Sequence, residues 1–208
     1  MGEKKLGTCS YCGKEFSKVA LKKHYMNCDK NVERNTVEEK EDYFFISVED
    51  RYMSEYWLYI SVSTKATLKD IDKFLRDIWL ECCGHLSAFT IEREHYASDS
   101  KKMSTKVDRV LFEKLNFIHE YDFGSTTTLK LKVMSEYEDV KRKEKVKLIA
   151  RNVAPKVTCS NCNEIATDIC IECGESLCEK CIEHHGCDEE MLLPVLNSPR
   201  TGVCGYCG

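Results

Sequence analysis

The sequence predicts an α+β protein, with a central antiparallel sheet packed against one main amphipathic helix and small zinc-binding modules at both ends. Three observations carry this expectation. Aromatic and β-branched runs recur through residues 43–151. One segment of helical periodicity interrupts them. Spaced Cys and His residues gather before and after that stretch.

Residues 1–28 read as a small finger. Cys9-Ser-Tyr-Cys12 is a knuckle whose turn Gly13 can relieve, and Val19 to Cys28 follows as a short helix. His24 and Cys28 are four residues apart, a spacing that puts both on one helical face toward a shared metal. Residues 29–42 are charged and almost free of large apolar side chains, so they read as a linker.

The central domain is expected over residues 43–151. Tyr43 to Val48 and Tyr56 to Val62 have strand composition. Thr67-Leu-Lys-Asp70 opens a helix with a capping box, and Leu68, Ile71, Phe74, Leu75, Ile78, Trp79 and Cys82 keep helical spacing behind it. Ala88 to Tyr96, Asn116 to Phe123 and Thr127 to Tyr137 read as further strands. Leu129, Leu131 and Val133 alternate with lysines, the pattern of a sheet with one wet face, and Val146, Leu148 and Ala150 repeat it. Strands with segregated helices define the α+β class. From residue 152 the composition turns Cys-rich and acidic, so residues 152–208 form a separate double-zinc module with a Pro/Gly/Cys tail.

Composition narrows the function classes. With 42% hydrophobic and 32% charged residues, the chain belongs to the soluble, globular class. No apolar run approaches the roughly 20 residues that span a bilayer, and the first residues lack the apolar core of a secretory signal. Fourteen cysteines in such a chain read as reduced, metal-bound thiolates, so a cytoplasmic location is expected. The net charge of −4 is unevenly spread: residues 1–28 hold six lysines against two glutamates, and residues 157–208 hold nine acids against Lys180 and Arg200. The C-terminal end should therefore repel phosphate.

Metal chemistry is the strongest signal. Cys9, Cys12, His24 and Cys28 fit a Cys-Cys-His-Cys zinc finger. Cys159, Cys162, Cys170, Cys173, Cys178, Cys181, His185 and Cys187 supply eight ligands, enough for two tetrahedral zincs. About three zinc ions per chain are expected. Spacing leaves His184 and His185 as competitors for the seventh place of the second set. Cys204 and Cys207 are open between a half-site completed by another chain, a replacement pair in the C-terminal module and free thiols, with some metal contact as the favoured expectation. Cys82 and Cys83 are expected as buried helix-end thiols, and His85 as a core or hydrogen-bonded histidine. Asp122-Phe-Gly124 matches a kinase metal-binding triplet in letters only, because no Gly-rich phosphate loop or His-Arg-Asp loop precedes it. No nucleophile–base pairing or Walker-type loop is found.

Two resemblances add to this. The C-terminal ligand order resembles a B-box, a cross-braced fold, and that resemblance implies one zinc on Cys159, Cys162, Cys178 and Cys181 and another on Cys170, Cys173, His185 and Cys187. The central segment resembles the plasmid pRiA4b ORF-three-like domain in Tyr56 to Val62, Thr67 to Trp79, Gly84-His-Leu-Ser-Ala-Phe89 and Tyr121-Asp-Phe-Gly124 through Val133. The tail from Met191 to Tyr206 looks like the ending of zinc-bearing members. The family implies a compact α+β fold found in bacteria, archaea and mobile elements, and no established activity. Ser125-Thr-Thr127 stands where many members carry Asp-Gly-Trp, so the resemblance assigns no site in that loop.

The expected function is a zinc-stabilised interaction protein, adaptor or regulatory, without catalysis of its own and with another protein as partner. The alternative is a nucleic-acid-binding zinc-finger protein, DNA-regulatory or RNA- and ribosome-associated, in which Lys14, Lys18, Lys22 and Lys23 of the finger meet phosphate. An enzyme would have to rest on His85, Tyr121 and Asp122. The modules are expected to have separate cores.

Overall fold

The computed structural model describes residues 6–28 and 39–208, and its centre is a nine-stranded sheet in which all neighbours are antiparallel. The strands are β1 (Leu6–Cys9), β2 (Glu15–Ser17), β3 (Lys40–Asp50), β4 (Trp57–Ser63), β5 (Ser87–Ile91), β6 (Glu94–Ala97), β7 (Asn116–Tyr121), β8 (Thr127–Val140) and β9 (Val146–Asn152). Their spatial order is β2-β1-β9-β4-β3-β8-β7-β5-β6. A separate three-stranded sheet holds β10 (Asp168–Cys170), β11 (Ser176–Leu177) and β12 (Leu192–Pro194). Helices are few: α1 (Lys18–Met26), α2 (Leu68–Leu75) and the one-turn α3 (Glu179–Ile182). The α+β architecture is the one the residue pattern implies. The expected linker falls mostly on residues 29–38, outside the described residues, and β3 begins inside its last three positions.

α2 starts as its sequence dictates. The Thr67 hydroxyl accepts from the Asp70 amide and the Asp70 carboxylate accepts from the Thr67 amide, a complete capping box. The helix then widens into a single π-helical turn, Arg76–Leu80, which buries both Trp79 and Leu80. Leu68, Ile71 and Leu75 pack with Leu58, Ile60 and Val62 of β4 in the main core.

Every residue of β4 is buried, so its two faces need two covers. Leu58, Ile60 and Val62 face α2, while Trp57 and Tyr59 share a second core with Phe45, Ile149, Leu21, Tyr25, Cys9 and Cys28. The expectation of separately cored modules gives way here. The N-terminal hairpin extends the sheet through β1–β9 pairing, and α1 covers the face that the alternating pattern left wet. Lys130 and Lys132 do remain exposed on β8, where no helix lies over them. Gly7 is required by this docking, because a Cβ there would collide with the Trp57 ring and the Arg151 carbonyl.

Other local readings are corrected. The expected strand Ala88–Tyr96 is a hairpin of β5 and β6, turned at Glu92 with φ 54°. Cys28 lies beyond the end of α1 and not on its face. The strand expected to reach Phe123 stops at Tyr121, because Asp122 adopts φ 62°.

A buried polar cluster ties α2 to β5 and β7. Asp72 accepts from Ser87 Oγ (2.6 Å) and Arg76 Nε (2.9 Å) and pairs with His119 Nε2 (2.7 Å). Burial alone would raise the Asp72 carboxyl, but His119, Ser87 and Arg76 outweigh it and hold the group below its ordinary value. A carboxylate depressed in the folded state contributes stability that is present above its unfolded pKa of about 3.9 and lost as pH falls through the folded value. Asp72→Ala is expected to cost about 3–5 kcal/mol at neutral pH, because it strands buried partners. Urea unfolding should show the deficit shrinking below about pH 4.

Candidate metal centres

The knuckles arise from local hydrogen bonding. Cys9 N–H donates to Lys14 O (3.0 Å) and Gly13 N–H to Cys9 O (2.9 Å), with Gly13 at φ 69°. Cys170 repeats this arrangement with Glu175 and Gly174, the latter at φ 79°. Cys159 N–H donates to Glu164 O (2.8 Å) in the same way. Each turn points two sulfurs to one side.

The structure brings the twelve sequence-derived residues together in three sets of four: Cys9, Cys12, His24 and Cys28; Cys159, Cys162, Cys178 and Cys181; and Cys170, Cys173, His185 and Cys187. The last two sets use alternate pairs of the chain, and His185 joins its set where His184 does not. Within each set the donor atoms lie within 4.8 Å of one another. A tetrahedral zinc with Zn–S bonds of about 2.3 Å needs sulfurs about 3.8 Å apart. Cys162 Sγ is 3.5 Å from Cys178 Sγ and 3.6 Å from Cys181 Sγ. Cys173 Sγ is 3.6 Å from His185 Nε2, and Cys12 Sγ is 3.2 Å from His24 Nε2. All fourteen cysteines are free of disulfides.

Thiols this close compete for charge. The Asn161 amide and its neighbours draw Cys159 down to about 6, while hydrogen bonds that the Cys181 thiol donates to Cys162, Cys178 and Cys159 push it up to about 12. The Cys173 amide likewise lowers Cys170 to about 6. A divalent cation among the sulfurs removes this conflict by letting all of them be thiolates. Three or four sulfur donors per set, with no carboxylate among the four, suit a closed structural site in a soft-ligand geometry.

A fourth set escaped the sequence reading. Cys82, Cys83 and His85 meet Cys204, with Cys83 Sγ 3.8 Å and His85 Nε2 3.5 Å from Cys204 Sγ. Cys82, expected as core filler, and His85, expected as an ordinary polar histidine, belong to this group. Cys207 stays outside it, exposed, with its thiol toward Gly205 O. The overlooked signal was Cys82-Cys83-Gly84-His85: three metal-capable residues in four.

His85, Tyr121 and Asp122 do come together, as an enzyme would require. His85 and Tyr121 stack edge-on at 5.8 Å between ring centres, and His85 Nδ1 is 3.7 Å from Asp122 Oδ1. They lie against thiols and an arginine: His85 against Cys204, Tyr121 against Cys82 and Asp122 against Arg200. A depression of about 510 Å³ lies on the sheet's open face near Glu49, Glu92, Lys130 and Lys132, away from all three.

No family model matches the chain, and no curated protein matches it. Among solved structures, a protein of unknown function from Methanosarcina mazei Go1 aligns with a TM-score of 0.44 and 15% identity, covering 56% of this chain and 70% of that one. No described helix is long and apolar enough to cross a membrane.

Proposed function

We propose that this is a zinc-stabilised interaction protein without catalytic activity of its own, whose acidic C-terminal module docks a basic segment of another protein. The observation that carries this reading is the surface of that module. Ile165 is 54% exposed and Ile171 40%, and the same module exposes Glu164, Glu172, Glu179 and the Asp188–Glu190 run. Glu164, Ile165, Thr167, Cys178, Glu179 and Lys180 line a shallow depression of about 240 Å³. Exposed apolar contacts on a surface where acids outnumber the single lysine, Lys180, suit a partner of net opposite charge. The three closed Cys/His sets act as its scaffold, each holding one zinc. Kinship of the central segment to the pRiA4b ORF-three-like family is part of the proposal, supported by the stretches quoted above.

Binding of nucleic acid through the finger is weakened by one contact. Lys18 is engaged with Glu49 and lies 5.4 Å from the Trp57 ring centre, so it is not a free phosphate ligand.

The test is capture from a lysate of the native host by wild type and by Glu164→Lys with Glu179→Lys, each with and without chelator and nuclease. A partner retained after nuclease, eluted by salt, and lost in the double variant and with chelator is the expected result. Capture unchanged by the charge reversal would refute the docking surface. A low-salt gel shift of DNA or RNA that Lys22→Glu with Lys23→Glu abolishes would establish the nucleic-acid reading instead.

A further inference from the structure

We infer that Cys82, Cys83, His85 and Cys204 form a fourth zinc site, one that latches the C-terminal tail to the central sheet. This rests on the same metal reading as the other three sets and is independent of any partner.

The geometry is specific. Cys82, Cys83 and His85 come from the loop between the π-helical turn and β5, and Arg76 shapes that loop. Its guanidinium donates to Glu81 Oε2 (2.7 Å), the His85 carbonyl (2.6 Å) and Ser87 Oγ (2.9 Å). Glu81 Oε1 accepts from the Gly84 amide (2.6 Å), and Gly84 takes φ 71°. Cys204 arrives from the tail in the left-handed region, at φ 56°, a conformation that L side chains adopt at a cost and that clusters at functional positions.

The imidazole is oriented as zinc histidines are. Nε2 is 3.5 Å from Cys204 Sγ and Nδ1 lies 3.7 Å from Asp122 Oδ1; a carboxylate on the far side of the ring from the thiol is the arrangement that orients a ligating histidine. His185 has the same arrangement, with Nε2 toward Cys173 and Nδ1 3.6 Å from Glu175. Asp122 itself has φ 62°, so the two strained residues here stand on either side of His85.

Charge is matched as well. Three thiolates and one imidazole around Zn²⁺ leave a formal charge of −1, and Arg200, 0% exposed, lies against it. Its Nη2 is 3.5 Å from Cys82 Sγ and pairs with Asp122, and its Nη1 donates to Ser125 O (2.7 Å). Arg200 and Cys204 lie in the same tail, so a metal at this site and the buried arginine hold one segment down together.

Native mass spectrometry of the full chain, purified with zinc and kept reduced, gives the test. Four zincs are expected for wild type and for Cys207→Ser, and three for Cys83→Ser. Cys83 is exposed, so this variant disturbs no core. Cys204→Ser should match it, and both should speed amide exchange of the tail. A wild-type count of three that Cys83→Ser leaves unchanged would overturn the fourth site while leaving the other three intact. A count of zero would instead remove the metal reading altogether.

Discussion

Cys9→Ser is expected to weaken the central sheet as well as the N-terminal knuckle. Cys9 is 1% exposed and shares a core with Trp57, Tyr59 and Ile149. The strand it ends pairs with β9. Structural zinc supplies on the order of 10 kcal/mol to the folding of isolated fingers, and without it α1 has little reason to stay on the sheet. Its nine residues are too few for a helix to be stable in water unaided. Undocking would strip cover from the Trp57 face, a loss comparable to truncating a buried aromatic, about 3–5 kcal/mol. The chain has two tryptophans, so a Trp79→Phe background leaves Trp57 as sole reporter. Its urea midpoint should drop with Cys9→Ser. A midpoint unmoved while the knuckle's zinc is lost would show the finger to be an independent unit. Buried hydroxyls join the same interface: Tyr25 to Tyr137 (2.7 Å), and Tyr137 to Ser61 (2.6 Å). Burial pushes Tyr25 up to about 12, so this contact is neutral through the physiological range.

Arg200→Ala should be as damaging as any change outside the cysteines. The variant strands the buried Asp122 carboxylate and removes the donors to Ser125 and Thr127. Breaking a buried pair from one side costs about 3–5 kcal/mol. Arg200 also lies 4.9 Å from the Tyr121 ring centre, and Arg76 lies 4.8 Å from it. The readout is local as well as global. Trp79 Nε1 donates to Asn197 O (3.1 Å) and Ser198 Oγ to Trp79 O (2.6 Å), so exchange of the Trp79 indole proton should accelerate as the tail lifts. Adding Asp122→Ala to Arg200→Ala should recover part of the loss, because the two residues act as a pair. Strict additivity of the two changes would show that they do not.

Much of this architecture was legible residue by residue. The Thr67–Asp70 box, the apolar face of α2 and the alternation along β8 are local patterns, and local hydrogen bonding and burial realise them directly. The Glu92 turn was missed because nothing in Ile91-Glu-Arg-Glu94 signals a hairpin; neither central residue is Gly, Asn or Asp. The docking of α1 was missed for a different reason. Its weakly amphipathic sequence, KVALKKHYM, announces only Leu21 and Tyr25, and two side chains do not identify the surface that covers them. The continuous apolar run of β4 was the available hint, since a strand buried on both faces must have a partner on each.

By itself the sequence determined the α+β class and the C-x-x-C knuckles at the ends, because a knuckle's two sulfurs are three residues apart and a local turn brings them together. The division of the eight C-terminal ligands into two sets was implied by the B-box resemblance, and the choice of His185 over His184 came from the fold. Only the tertiary structure decided that the finger is a continuation of the sheet and that Cys204 reaches Cys83 and His85, which lie 121 and 119 residues away. Those meetings depend on strand order and on burying Arg200 beneath the Asp122 turn, and no short-range pattern encodes which distant surfaces will exclude water together.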